Sequence, residues 1–170
     1  VRALDIIIRT CASVNMLTQN KKRLFEKEKI VYTLRTIKSL LNSVLDPGLT
    51  SLHINFKVID HNSTNENLKE IDNVFKKFGK KYSLINLDVS KFKNQIEKIN
   101  QRGKDVTSNQ ISNMANIHQS LLESKNCKDL IYFVEDDYLH RKTSLKEMIF
   151  TYERITSQLN KEIIICPTDY

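Results

Sequence analysis

Apolar residues recur along this chain in two alternating rhythms. The opening run Leu4-Asp5-Ile6-Ile7-Ile8-Arg9-Thr10 is short and β-branched. It reads as a strand buried on both faces, hence a central one in a parallel sheet. Ile30, Leu34, Ile37, Leu41 and Val44 then mark one face of a helix, which Asp46-Pro47-Gly48 ends. Leu52 to Asp60 alternates apolar and polar residues and closes on an acid, a second strand with its core at 54–60. After the polar turn His61-Asn62-Ser63-Thr64, Ser63 and Glu66 stand at capping-box spacing. Leu68, Ile71, Phe75 and Phe78 line the helix that follows, and Gly79 ends it. A third strand is expected at 83–87 and a short helix on Phe92, Ile96 and Ile99. A longer helix is expected on Ile111, Met114, Ala115, His118, Leu121 and Leu122. Leu130-Ile131-Tyr132-Phe133-Val134 is a fourth strand and runs into Glu135-Asp136-Asp137. Ser144 and Glu147 repeat the capping-box spacing ahead of a helix on Leu145, Met148, Tyr152, Ile155 and Leu159. A last strand is expected at 162–166, broken by Pro167. Strands alternating with helices predict an α/β fold around a mainly parallel sheet.

Composition refines this picture more than it redirects it. At 170 residues, 40% hydrophobic and 28% charged, the chain fills one domain, 1–170, with a real core. No apolar run reaches the roughly 18–20 residues of a membrane span. The net charge of +7 is uneven: +5 over 1–50, +5 over 51–104 and −3 over 105–170. Lys, Asn and Ile are abundant together, a usage that AT-rich coding produces without selection for a basic surface, so no nucleic-acid partner is expected. Lys21-Lys22-Arg23 reads as a solvated helix start, and contact with anionic lipid headgroups is its second reading. Three cysteines, Cys11, Cys127 and Cys166, lie far apart without a C-x-x-C, so the expected setting is reducing and cytoplasmic, with the inner face of a membrane as the variant. With three glycines and no G-x-G-x-x-G or Walker loop, the common dinucleotide and P-loop routes to phosphate are closed.

In an open parallel sheet, ligands bind outside the carboxyl ends of the strands. The residues there are Arg9-Thr10, Asp60-His61-Asn62, Glu135-Asp136-Asp137 and Thr168-Asp169. Three of the four ends carry acids. Consecutive carboxylates repel one another unless something positive sits among them. Such an oxygen-rich cluster suits Mg²⁺ or Mn²⁺, which commonly also bind substrate phosphates. His118, on an apolar stripe, reads as a core or interface histidine rather than a ligand.

In order and spacing, these segments resemble the nucleotide-binding half of a family 2 glycosyltransferase with the GT-A fold. The family's opening strand, of the type SIIIxTxN, is similar to Asp5-Ile6-Ile7-Ile8-Arg9-Thr10-Cys11-Ala12. Its second strand, VIVVDDGSTD, is similar to Lys57-Val58-Ile59-Asp60-His61-Asn62-Ser63-Thr64-Asn65-Glu66. Its ARNxGIxxA helix and YIxFLDDDD strand are similar to Met114-Ala115-Asn116-Ile117-His118-Gln119-Ser120 and to Leu130 through Asp137. The resemblance covers about the first 140 residues and implies a Rossmann-like three-layer sandwich. It also implies a nucleotide-diphosphate sugar as donor, UDP-sugar favoured, an unknown acceptor, and Mn²⁺ or Mg²⁺ as cofactor. Thr10 would line the nucleotide pocket, with Arg9 and Asn62 on the donor side. Asp60 would accept hydrogen bonds from the base, and Asp136 would approach the ribose or donor sugar. Asp137 would meet the metal, with Glu135 opening the acidic cluster. The diphosphate leaving group needs a cation to offset its developing charge.

The chain departs from the family pattern at two places. The glycine after the second strand is Asn62, a residue that tolerates unusual backbone angles. The Arg-Asn pair of the later helix is Ala115-Asn116, which removes a cation. A nucleotidyltransferase-type enzyme and a non-catalytic binding domain of the same fold both remain open. The first normally shows a glycine-rich basic loop after the first strand, where Arg9-Thr10-Cys11-Ala12-Ser13 has no glycine. Transfer with inversion needs a base for the acceptor hydroxyl, and Asp169 is the strand-end acid left to serve. The preferred expectation is a donor-binding portion of a longer protein that lacks C-terminal acceptor-binding elements.

Overall fold

The computed structural model describes residues 2–13, 27–96, 98–99 and 103–167. Its sheet grows outward from the isoleucine run. Strand β1, Ala3–Thr10, has β2, His53–Asp60, on one side and β4, Leu130–Glu135, on the other. Strand β3, Ser83–Asn86, pairs with the far side of β2, so the spatial order is β3-β2-β1-β4, and every pairing is parallel. A parallel neighbour requires a crossover, and the helices provide them: α1, Lys29–Val44, α2, Asn65–Lys77, and α3, Ser108–Ser124. Helix α4, Ser144–Leu159, follows β4.

Alternation along β1 sorts the chain into three layers. Leu4, Ile6 and Ile8 point to one face, where they pack with Ile37, Leu40 and Leu41 of α1, Ile71 and Phe75 of α2, and Leu145 and Ile149 of α4. Ile7 points to the other face and packs with Ile59, Leu87, Phe92, Ile96 and Ala115 of α3. Ile6, Ile7 and Ile8 are wholly buried, as a central strand covered on both sides requires. The fold is thus the predicted three-layer α/β sandwich with a parallel, Rossmann-like sheet.

Several local expectations are corrected. The run 162–166 is not a strand: it follows α4 without a sheet partner among the described residues, and Ile164 is 98% exposed. Apolarity and β-branching give a segment the propensity for a strand, but only a partner's backbone groups make one. The Tyr152 hydroxyl donates to the Glu162 carboxylate and ties the start of that run to α4 instead. The short helix on Phe92, Ile96 and Ile99 is replaced by a 3-10 turn at Val89–Phe92, capped by Asp88, followed by irregular turns. Phe92 and Ile96 are still buried, because two apolar residues four apart can be buried by successive turns as well as by a helix. Neither expected capping box forms. Thr64, not Ser63, caps α2 by accepting from Asn67 N, and Thr143 precedes α4 without a side-chain cap. A reciprocal box instead opens α3, between Thr107 and Gln110. Asp46-Pro47-Gly48 does end α1, and Asp46 also holds Lys146 of α4 at 3.2 Å.

Phe75 joins the α2 layer to the sheet. It is 1% exposed, meets Phe56 edge-on and stacks on Tyr82 with ring centroids 4.3 Å apart. Phe75→Ala is expected to lower the free energy of unfolding by about 3–5 kcal/mol, measured by urea denaturation. Phe150→Ala, at a residue 49% exposed, is expected to change it by less than about 1 kcal/mol.

Candidate functional site

Strand register decides which strand-end side chains meet. Arg9 lies level with Ile59 and Glu135, and Thr10 lies level with Asp60. Because successive residues take opposite faces, two polar clusters form at the carboxyl ends of β2, β1 and β4. They flank the place where the strand order reverses, since the chain moves outward from β1 through β2 to β3 and then returns to the other side of β1 as β4. That reversal is the topological switch point of such a sheet.

Asp60 organises the first cluster. Its Oδ1 accepts from Thr10 Oγ1 at 2.6 Å and Ser63 Oγ at 2.5 Å, and its Oδ2 accepts from Ser63 N at 3.1 Å. Ser63 Oγ accepts from Ala12 N at 2.9 Å, which draws the exits of β1 and β2 together. Asn62 makes that turn in the left-handed region, φ +61°, a conformation asparagine accepts more readily than most residues. Asp136 organises the continuation toward β4. Its Oδ1 is 2.6 Å from Lys29 Nζ; its Oδ2 accepts from Thr33 Oγ1 at 2.9 Å and from Cys11 N at 3.4 Å. Asp60 and Asp136 are 4% and 7% exposed, so these contacts replace water for both carboxylates.

The second cluster faces α3. Arg9 pairs with the Glu135 carboxylate and donates to Asn113 Oδ1 at 3.2 Å. His61 Nδ1 lies 2.7 Å from Ser112 Oγ. Asn116 donates to Ile59 O at 3.3 Å, while its buried Oδ1 has no partner among the described residues. His118 is half-buried and stacks on Phe92, as expected of an interface histidine.

The structure therefore gathers Arg9, Thr10, Asp60, Asn62, Glu135 and Asp136 at one end of the sheet, with Asp137 exposed on the loop after β4. Asp169, the expected base, and Lys21-Lys22-Arg23 lie outside the described residues. The sequence reading missed Lys29, Thr33, Asn113 and Ser112, and assigned Ser63 to a helix cap. Only Lys29 left a signal. It is the first residue of α1, whose first turn carries no acid, and a cation there opposes the helix dipole.

The implied Mg²⁺ or Mn²⁺ requires hard oxygen donors. Among the described residues, no three His, Cys, Asp or Glu side chains stand close enough to hold a metal. Arg9 and Lys29 already engage Glu135 and Asp136. Exposed Asp137 is a hard oxygen donor of the kind Mg²⁺ and Mn²⁺ accept when phosphates supply other ligands. The residues thus fit a cation that arrives with phosphate, not a preassembled cage.

No family model matches the chain, and no curated protein matches it in sequence. Among solved structures, the crystal structure of S. aureus TarS is similar over 89% of this chain and 19% of that one, with a TM-score of 0.45 and 15% identity. The chain thus spans about a fifth of that protein's length.

The loop that carries Asp136 is pinned at its far side by His140. Its backbone N–H donates to Ser39 Oγ at 3.0 Å, and its Nε2 lies 2.8 Å from the Tyr132 hydroxyl. Burial holds the His140 imidazole below the usual histidine range and pushes the Tyr132 phenol up to about 12. Folding therefore opposes protonation of His140. Its contribution is intact above the unfolded value near 6.5 and is lost as pH falls below it. His140→Gln is expected to shrink the fall in melting temperature between pH 7.5 and 5.5, read by circular dichroism.

Proposed function

We propose that the chain binds a nucleotide-diphosphate sugar, UDP-sugar favoured, at the carboxyl ends of β2, β1 and β4 and serves glycosyl transfer to an acceptor. The observation that carries the reading is the convergence of Thr10, Asp60 and Asp136 at the topological switch point, each held by hydrogen bonds within the fold. These are the residues the family 2 resemblance assigns to the nucleotide. In this reading Asp60, with its orientation fixed by Thr10 and Ser63, offers acceptor capacity to the N3–H of a uracil base. Asp136, level with the exit of β1, faces the ribose or donor sugar. Arg9 and Lys29 bring positive charge to a site that must hold a diphosphate. A divalent cation, Mn²⁺ or Mg²⁺, would be held by Asp137 and would offset charge on the leaving diphosphate.

Calorimetric titration with UDP, GDP and ADP and their sugars, with Mn²⁺ present, tests the reading. UDP is expected to bind, and Asp60→Asn to weaken it by roughly 10- to 100-fold, the equivalent of a lost charge-assisted hydrogen bond. A melt of the variant controls for the contacts that Asp60 makes within the fold. Absence of heat with every nucleotide up to millimolar concentration would overturn the reading.

A further inference from the structure

Two observations about Lys29 belong together. Its ammonium lies 2.6 Å from Asp136 Oδ1, with 11% of its side chain and 10% of that of Asp136 exposed. The other carboxylate oxygen accepts from Thr33 and Cys11. Asp136 therefore has both oxygens engaged inside the protein. In addition, Lys29 opens α1, where the helix dipole disfavours a cation and no acid in the first turn offsets it. No acid of the first turn pairs with Lys29; the ion pair that holds it comes from across the fold, from Asp136.

We infer that Lys29 is a positioning residue that keeps Asp136 from coordinating a divalent cation in the free protein, so that the cation is taken up only together with a diphosphate. The inference rests on the donor-binding reading for its second half alone. With Asp136 held by Lys29 and the exposed Glu135 paired with Arg9, Asp137 is the exposed acid of the triplet that has no ion pair among the described residues. A single carboxylate holds Mg²⁺ or Mn²⁺ weakly unless phosphate oxygens share the ion. The diphosphate in turn gives the Lys29 ammonium an alternative anion. The pair thus works as a sequence control: nucleotide and ion enter together, and neither a metal-loaded empty site nor an unpaired buried carboxylate has to be stable.

Equilibrium dialysis of the whole chain against Mn²⁺, with and without UDP, tests this. The wild type is expected to retain Mn²⁺ at least tenfold more strongly when UDP is present. Lys29→Met frees Asp136 and is expected to raise affinity for Mn²⁺ alone at least tenfold. A merely structural role for Lys29 would not produce that gain. Lys29→Met/Asp136→Asn removes both charges, is expected to fold, and is expected to lose the gain. A wild type that binds UDP yet retains Mn²⁺ equally with and without it overturns the inference, even if Lys29→Met does not fold. So does a folded Lys29→Met with no gain, or a double variant that keeps it. If the wild type retains no UDP under any condition while Lys29→Met gains Mn²⁺, the donor-binding reading and the joint entry fall, and the hold of Lys29 on Asp136 stands.

Discussion

The burial of charge at the carboxyl ends of the strands constrains the rest of this structure. Asp60 and Asp136 are nearly inaccessible, and a carboxylate taken out of water must find cations or hydrogen-bond donors to offset the loss. The donors come from separate elements: Thr10 from β1, Ser63 from the turn after β2, and Lys29 and Thr33 from α1. Satisfying two acids therefore fixes the exits of three strands relative to one helix. The geometry a ligand would meet is set by the same contacts that make the fold tolerable at that end.

The opposite end of the β1–β4 pair is held in a related way. The Asp129 carboxylate, just before β4, accepts from the backbone N–H groups of Arg2 and Ala3 at 2.6 and 3.2 Å. Those bonds hold the Asp129 carboxyl below the usual carboxylate range. This junction is exposed, whereas Asp136 at the other end is enclosed. Water can replace part of what Asp129 supplies, and it cannot do so for Asp136. The difference separates a structural staple from a site whose disturbance is costly.

Much of the fold was legible in the sequence because periodicity reports burial. The isoleucine run, the four long amphipathic stripes and the alternating second strand each appear where their spacing placed them. The failures share a cause. Residues 162–166 have strand composition but no sheet partner among the described residues, and Phe92 and Ile96 are buried without a helix, because local pattern does not encode what lies across the chain. The site divides the same way. Strand-end acids could be picked out by position, and the three consecutive carboxylates announced a need for positive charge. The chain itself supplies some of that charge: Arg9 is adjacent in the sheet, and Lys29 is 107 residues from its partner. Ser63, at capping-box spacing with Glu66, turns back to Asp60 instead, a choice made by the burial of that acid rather than by the helix it precedes.

The central place of the first strand also bears on how the molecule is made. β1 leaves the ribosome before both of its sheet neighbours, β2 on one side and β4 on the other, the latter more than a hundred residues later. Parallel pairing of segments so far apart is slow, because the connecting chain loses its freedom before the contact forms. Until residues 130–136 emerge, Ile6 to Ile8 have one sheet neighbour instead of two, and one of the most apolar segments of the protein has an open edge. Such an edge is a template for intermolecular association. Between the synthesis of β1 and that of β4 such a nascent chain carries its isoleucine strand with one edge unprotected, and whatever shields that edge during translation bears directly on the yield of folded protein.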